Sequence, residues 1–241
     1  MSGTSQPQST AARPRHIAFI LDGNRRWAVQ QGLSQLEGHR YGSEALRKIV
    51  PALIARGIEV VSLYIFSTEN WRRTQEEVGA IMGLIRQAFE KDFEEFKKQG
   101  VQVRIAGRTM DFPEDIRKIF TETVEATKNN TKLILNACLS YGGREEIVRA
   151  ARALAAEAVK NPAIVDTIDE AAVQQHLYTA DLPDVDLVVR TAGEQRLSGF
   201  LPWQATYAEL YFTPVFWPDF TEQELDKALE EFSHRKRNFG A

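Results

Sequence analysis

Residues 16–27 read HIAFIL-DGN-RRW: a short run of apolar, β-forming side chains, then the turn residues Asp22-Gly23-Asn24, then arginines. A wholly apolar run of this length, closed by turn residues, is a buried strand that delivers a polar loop at its carboxyl end. The pattern recurs downstream. IEVVSLYIF (58–66) ends in Ser67-Thr68-Glu69-Asn70-Trp71-Arg72-Arg73, and VQVRIAG (101–107), KLILNACLS (132–140) and VDLVVRT (185–191) follow.

Helical periodicity fills the gaps. Ala45, Leu46, Ile49, Val50, Leu53 and Ile54 share one face of a helix over about 42–56, with Gly57 as its C-cap. A long helix over about 75–98 carries the stripe Val78, Ile81, Met82, Ile85, Phe89, Phe93 and Phe96. Helices at 113–128 and 143–160 follow, and Thr221 N-caps a last amphipathic helix to about 235. Apolar strands alternating with helices predict one α/β domain over 16–241, with a mostly parallel central sheet covered by helices on both faces. Residues 1–15, rich in Ser, Thr, Gln and Pro, read as a mobile tail.

Composition narrows the function. The 241 residues, 43% hydrophobic and 26% charged, suffice for one sizeable core. A net charge of −3 gives no basic field for nucleic acid. The single cysteine, Cys138, excludes an internal disulfide and any multi-cysteine metal site, and the four histidines lack HExxH spacing. With no signal-peptide core and no membrane-length apolar run, the expected setting is the cytoplasm.

In open α/β sheets ligands bind beyond the carboxyl ends of the strands. Three of those ends carry arginine beside small or hydroxyl residues: Asp22–Trp27, Ser67–Arg73, and Arg190-Thr-Ala-Gly-Glu-Gln-Arg-Leu-Ser198. Arginine offers a charged fork of donors and glycine lets backbone approach oxygen, so the coincidence describes a site for phosphates. Each piece also has a bland reading: Asp-Gly-Asn as a plain turn, His39 as structural, Trp27, Trp71 and Trp203 as core or rim. No Walker loop, GxGxxG or GxSxG motif is present. So few carboxylates stand near these arginines that a metal would be magnesium, held by one or two acidic groups plus substrate phosphate. Asp22 is the first candidate ligand and Glu209 the second.

These blocks, taken in order, resemble the signatures of the cis-prenyltransferases, the undecaprenyl diphosphate synthase family: HIAFILDGNRRWA (16–28), GHRYG (38–42), FSTENWRR (66–73), SYGGREEIV (140–148), VDLVVRTAGEQRLSGFLPWQ (185–204) and YAELYFTPVFWPDF (207–220). The resemblance implies a parallel sheet ringed by helices around an apolar tunnel, a homodimer, and Mg²⁺ as cofactor. It implies that an allylic diphosphate, such as farnesyl or geranyl diphosphate, condenses with isopentenyl diphosphate to form a Z double bond. By the same likeness Asp22 is the magnesium-binding catalytic aspartate and Glu209 a further ligand. Gly23, Asn24, Arg25, Arg26, Trp27 and His39 match the allylic diphosphate loop. Ser67, Thr68, Glu69, Trp71 and Arg73 match the stretch over the reacting carbons, with Asn70 as a proposed proton acceptor. Arg190, Arg196, Leu197 and Ser198 match the isopentenyl diphosphate site.

Departures from the family pattern are Arg25 for a frequent glycine, Gln35 for a substrate-contacting arginine, Ala192, Gly199 and Pro202, and Asn238-Phe239-Gly240 for Arg-x-Gly. Product length stays open. The default is an undecaprenyl-type chain, the alternatives a short Z-product or irregular coupling of two allylic diphosphates. Ile65, on the same strand face as Ser67, should project into the tunnel where long-chain members carry a small residue. A greasy product would bring at most transient peripheral contact with a membrane.

Overall fold

The chain, in a computed structural model, is described over residues 13–235, the side chains of 92 and 93 excepted. Residues 1–12 of the expected tail, and the Asn238-Phe239-Gly240 departure, lie outside the described residues. The last part of that stretch is not a tail. The Arg15 backbone N–H donates to Asp186 Oδ2 at 2.7 Å and its guanidinium pairs with Glu59 at 2.9 Å.

Six strands form one sheet, every pair parallel: β1 (His16–Ile20), β2 (Val60–Ser67), β3 (Val101–Ala106), β4 (Leu133–Tyr141), β5 (Leu187–Arg190) and β6 (Glu209–Phe212), in the order β3-β4-β2-β1-β5-β6. Between them lie α1 (Asn24–Gln30), α2 (Gln35–Ala55), α3 (Gln75–Gln87), α4 (Phe93–Lys98), α5 (Glu114–Thr127), α6 (Gly143–Lys160), α7 (Glu170–Gln175) and, last, α8 (Glu222–His234). Alternate strand residues split between two apolar layers. Ile17, Phe19, Leu63, Leu135 and Val189 join a large layer with α2, α3, α5 and α8; Ala18, Ile20, Cys138 and Val188 face a smaller one holding Tyr141 and Phe200. Apolar strands therefore meant a sheet buried on both faces, as the pattern required.

Helix boundaries differ in instructive places. Helix α2 begins at Gln35, a full two turns before the apolar face, because Ser34 and Glu37 close a capping box. It ends as expected, with Gly57 left-handed at φ 67°. The single helix read over 75–98 is broken by a π-helical turn at Ala88–Asp92, a wider turn that keeps Phe89 and Phe96 both buried. Thr221 does stand at the N-cap of α8, with no side-chain capping bond. Strand β6 was unread: four residues, half-buried at the sheet edge, carry too little alternation to register.

One core group has a measurable consequence. His16 is fully buried, its ring nitrogens bonded to the Pro183 carbonyl and to Ser62 Oγ, both at 2.8 Å. Burial holds its pKa down to about 4, below the ordinary 6.5. The unfolded state therefore takes up the proton first, so stability is full above about pH 6.5 and falls as pH drops toward 4. Wild type should lose about 2 kcal/mol more than His16→Gln between pH 7 and 5. Urea unfolding at the two pH values checks this; parallel losses would remove His16 as the cause.

Candidate active site

The carboxyl ends of β1, β2 and β5 open on one cavity of about 310 Å³. Its polar end is built by Asp22, Asn24, His39, Ser67, Asn70, Arg73, Arg190 and Ser198; its deeper wall by Ile65 and by Ile81, Leu84, Ile85, Ala88 and Phe89 of α3 and the π turn. Polar head and apolar body match an amphiphilic ligand. The stripe read over 75–98 thus serves both readings: Met82 of α3 and Phe96 of α4 fill the core while Ile81, Leu84 and Ala88 line the cavity.

Asp22 sits at the head. Its backbone carbonyl is fixed by Thr191 Oγ1 at 2.7 Å and by the Trp217 N–H at 3.0 Å. Its carboxylate accepts from Arg190 at 2.8 Å and from Arg26 at 3.4 Å. Arg190, almost wholly buried, also donates to Ser198 Oγ at 2.8 Å and to the Arg196 carbonyl at 2.6 Å. Glu194, which the sequence reading passed over, pairs with Arg26 at 3.4 Å and Arg196 at 2.5 Å. Two acids therefore balance three arginines, and the arginine clusters after β1 and β5 form one network. The clue to Glu194 was its sign, a lone carboxylate between Arg190 and Arg196.

The Asp-Gly-Asn turn leads directly into α1. Gly23 has φ 103°, and a Cβ there would lie 2.5 Å from Phe216. Gly38 and Gly42 on α2 let its backbone pass against Asn24, whose side chain donates to the Leu21 carbonyl at 3.0 Å. The DGN and GHRYG blocks are thus one packing unit, which delivers His39 to the cavity. Burial, then the nearby Arg73 and Arg25, lower the His39 pKa to about 4, so the ring is neutral near pH 7. Burial also lowers the Arg73 pKa, with Arg25 adding to the effect. Two cations crowded about a half-buried imidazole describe a place suited to an anion.

Strand β2 reaches the cavity through irregular pairing. Its register against β4 shifts between Tyr64 and Phe66 and again before Ser67, skipping Ile65 and Ser140. Ile65 and Ser67 still both line the cavity, joined by Tyr64, another residue not foreseen. Asn70 Oδ1 accepts the Ser67 N–H at 2.9 Å, so the amide NH₂ is what it can offer a substrate oxygen.

Several residues expected at the site stand away from the cavity. Trp27 is buried behind the turn, its ring tilted 51° against Tyr41 with centroids 4.8 Å apart, and Trp71 packs against Phe66 and Phe112; neither lines the cavity. Leu197 packs against the smaller apolar layer, Thr68 lies over Gly142, and Glu69 is exposed. Arg25 pairs with Glu77 of α3 at 3.2 Å. Glu209 does not join Asp22: it begins β6, opposite Leu187 at the far end of β5, and its carboxylate is held by Arg235 at 2.9 Å. Parallel strands share one direction, so Glu209, at the amino end of β6, lies at the opposite end of the sheet from Asp22 within this chain.

A parallel six-stranded sheet whose strand ends join two arginine clusters to an apolar cavity is the frame of an enzyme that handles diphosphates bearing hydrocarbon. The family described as "Putative undecaprenyl diphosphate synthase" matches residues 20–240, and the chain belongs to it: it is a cis-prenyltransferase. It is 44% identical over 227 residues to isoprenyl transferase 2 of Bradyrhizobium diazoefficiens, covering 94% of this chain and 90% of that one. The ditrans,polycis-undecaprenyl-diphosphate synthase ((2E,6E)-farnesyl-diphosphate specific) of Vibrio parahaemolyticus shows the same identity and coverage. The crystal structure of lavandulyl diphosphate synthase from Lavandula x intermedia, in complex with dimethylallyl diphosphate, superposes with a TM-score of 0.92 at 35% identity. That match covers 95% of this chain and 99% of the other.

Proposed function

We propose that this enzyme condenses isopentenyl diphosphate with an allylic diphosphate: the allylic C–O bond breaks, a C–C bond forms, a proton leaves the condensed intermediate, and diphosphate is released with a new Z double bond. The observation that carries this reading is the Arg26–Asp22–Arg190–Ser198 chain of contacts at the mouth of an apolar cavity. Arg26, Arg73 and neutral His39 bind the allylic diphosphate and meet the charge that develops on it as the bond ionises. Arg190, Arg196 and Ser198 hold the second diphosphate so that its alkene faces the cation. Asn70 orients a diphosphate oxygen or a water that takes the proton, since an amide is no base and its oxygen is already engaged.

A magnesium ion fits the donor set. Asp22 presents a hard carboxylate whose oxygens can accept beyond their two arginine bonds, and substrate phosphates complete such sites. Asp22 would hold the ion, and when bound it supplies positive charge beside the leaving group. Among the described residues no cluster of three or more His, Cys, Asp and Glu offers a rival site.

Incubation with farnesyl diphosphate, labelled isopentenyl diphosphate and Mg²⁺ tests the reading: product should form only when both diphosphates are present. Product without isopentenyl diphosphate would replace it with irregular coupling of two allylic diphosphates.

Product length is drawn two ways. The Vibrio relative is named for an undecaprenyl product, and we take that as the default. A cavity of about 310 Å³, at the small end for ligand sites, with branched Ile65 on its wall, favours a shorter chain. If Ile65 is the stop, Ile65→Ala lengthens the main product by at least one five-carbon unit, at a stability cost of roughly 2–4 kcal/mol at most. Chromatography of the dephosphorylated products reads this directly; an unchanged distribution removes Ile65 from the role.

The working unit is a homodimer. Tyr207 is 62% exposed beside the half-buried edge strand β6, an aromatic patch and an open sheet edge suited to covering by a second copy. Light scattering at micromolar concentration should give twice the chain mass; a monomer would overturn it. Among the described residues no helix is long and apolar enough to cross a membrane.

A further inference from the structure

Trp71 does not touch the cavity, yet the residues beside it, Asn70 and Arg73, do. What holds its indole is therefore what holds that segment. The Trp71 Nε1–H donates to Ser140 Oγ at 2.8 Å, and Ser140 Oγ donates to Asp111 Oδ2 at 2.5 Å. Arg108 Nε donates to the same Asp111 oxygen at 2.8 Å. Phe112, next in sequence to Asp111, sets its ring edge against the indole with centroids 5.4 Å apart.

The middle of this chain is strained and buried. Ser140 is fully inaccessible, is skipped in the β2–β4 ladder, and holds φ 47°, a left-handed conformation uncommon for a residue with a Cβ. Such strain persists where the surroundings over-determine it, and here one hydroxyl is bonded on both sides. Asp111 lies on a surface turn after β3, so a carboxylate remote from the cavity is tied through one hydroxyl to the indole.

We propose that Asp111 is a positioning residue for the Ser67–Arg73 segment, acting through Ser140 and Trp71. Its loss leaves the Ser140 hydroxyl without its acceptor and frees the indole to shift, carrying Asn70 and Arg73 off the substrate. The inference rests on the condensation reading for its effect on rate, and on geometry alone for its effect on the segment. Displacements of about 1 Å at a reacting centre can cost up to about 100-fold, so a smaller slip should cost on the order of tenfold.

The test compares wild type with Asp111→Ala, Asp111→Asn and Trp71→Phe. Asp111→Ala should lower kcat/KM on the order of tenfold, and Asp111→Asn, which keeps an oxygen to accept from Ser140, should recover most of it. In the Trp71→Phe background, where the ring stays but the indole N–H is gone, Asp111→Ala should add little. Hydrogen exchange read by mass spectrometry should show faster exchange over 67–73 in Asp111→Ala, with α2 and α6 unchanged. Uniformly faster exchange across the fold, or a full tenfold loss in the Trp71→Phe background, would overturn the proposal. Because exchange needs no substrate, it still reads the linkage if wild type fails to condense the two diphosphates, a result that would sink the condensation reading alone.

Discussion

Asp22→Ala should fold and melt like wild type while losing turnover by 10²–10³-fold or more, the scale typical of removing one electrostatic partner of a transition state. Folding is spared because the turn is held through the Asp22 carbonyl, by Thr191 and Trp217, and not through its side chain. Catalysis is not spared, since the carboxylate is the common partner of Arg26 and Arg190 and the candidate magnesium ligand. Asp22→Asn, equal in shape but uncharged, should be nearly as inactive. EDTA should abolish wild-type activity and added Mg²⁺ restore it. Circular dichroism beside a product assay checks both halves; an alanine variant with full turnover would remove Asp22 from the chemistry.

Arg190→Ala is the second large effect, and the structure changes its expected form. Read as part of an isopentenyl diphosphate clamp, its loss would raise KM for that substrate alone. Its guanidinium, however, binds Ser198, the Arg196 carbonyl and Asp22 together, with the side chain only 5% exposed. Removing it loses a phosphate contact and releases Asp22, so kcat/KM should fall for both substrates, by roughly 2–4 kcal/mol in barrier terms. Arg196 is 59% exposed and its side chain pairs with Glu194. Arg196→Ala should therefore act mainly on KM for isopentenyl diphosphate, and Arg26→Ala mainly on the allylic partner. Steady-state kinetics with each substrate varied in turn separates the cases; an Arg190 variant impaired toward one substrate only would show that the network is not shared.

The legible parts of the site share a cause. Asp22, Ser67 and Arg190 each lie at the end of an apolar run, and the carboxyl end of a buried parallel strand is where its ligand groups must emerge. The placement of the tryptophans was not legible, because indole serves core and ligand equally and sequence spacing does not reveal which side of a turn it faces. The place of Glu209 was not legible for a geometric reason: without β6 recognised as a strand, nothing indicated that the residue starts it. Asp111 and Ser140 were not foreseen because a hydrogen bond from the turn after β3 to the irregular end of β4, where its pairing with β2 shifts register, leaves no mark in periodicity.

The amino-acid sequence by itself determined the class of fold, because side chains that alternate between two buried faces leave a strand no solvent side, and only helix-covered parallel sheets accept that. It determined the chemistry of the strand ends too, through their arginines, glycines and lone aspartate. Which of those ends meet was decided by the tertiary structure. Asp22 and Arg190 are 168 positions apart and touch because β5 pairs with β1, Ile20 opposite Arg190. Strand order is set by how the helices pack on the two faces of the sheet, a sum of many weak contacts that no local stretch of sequence contains.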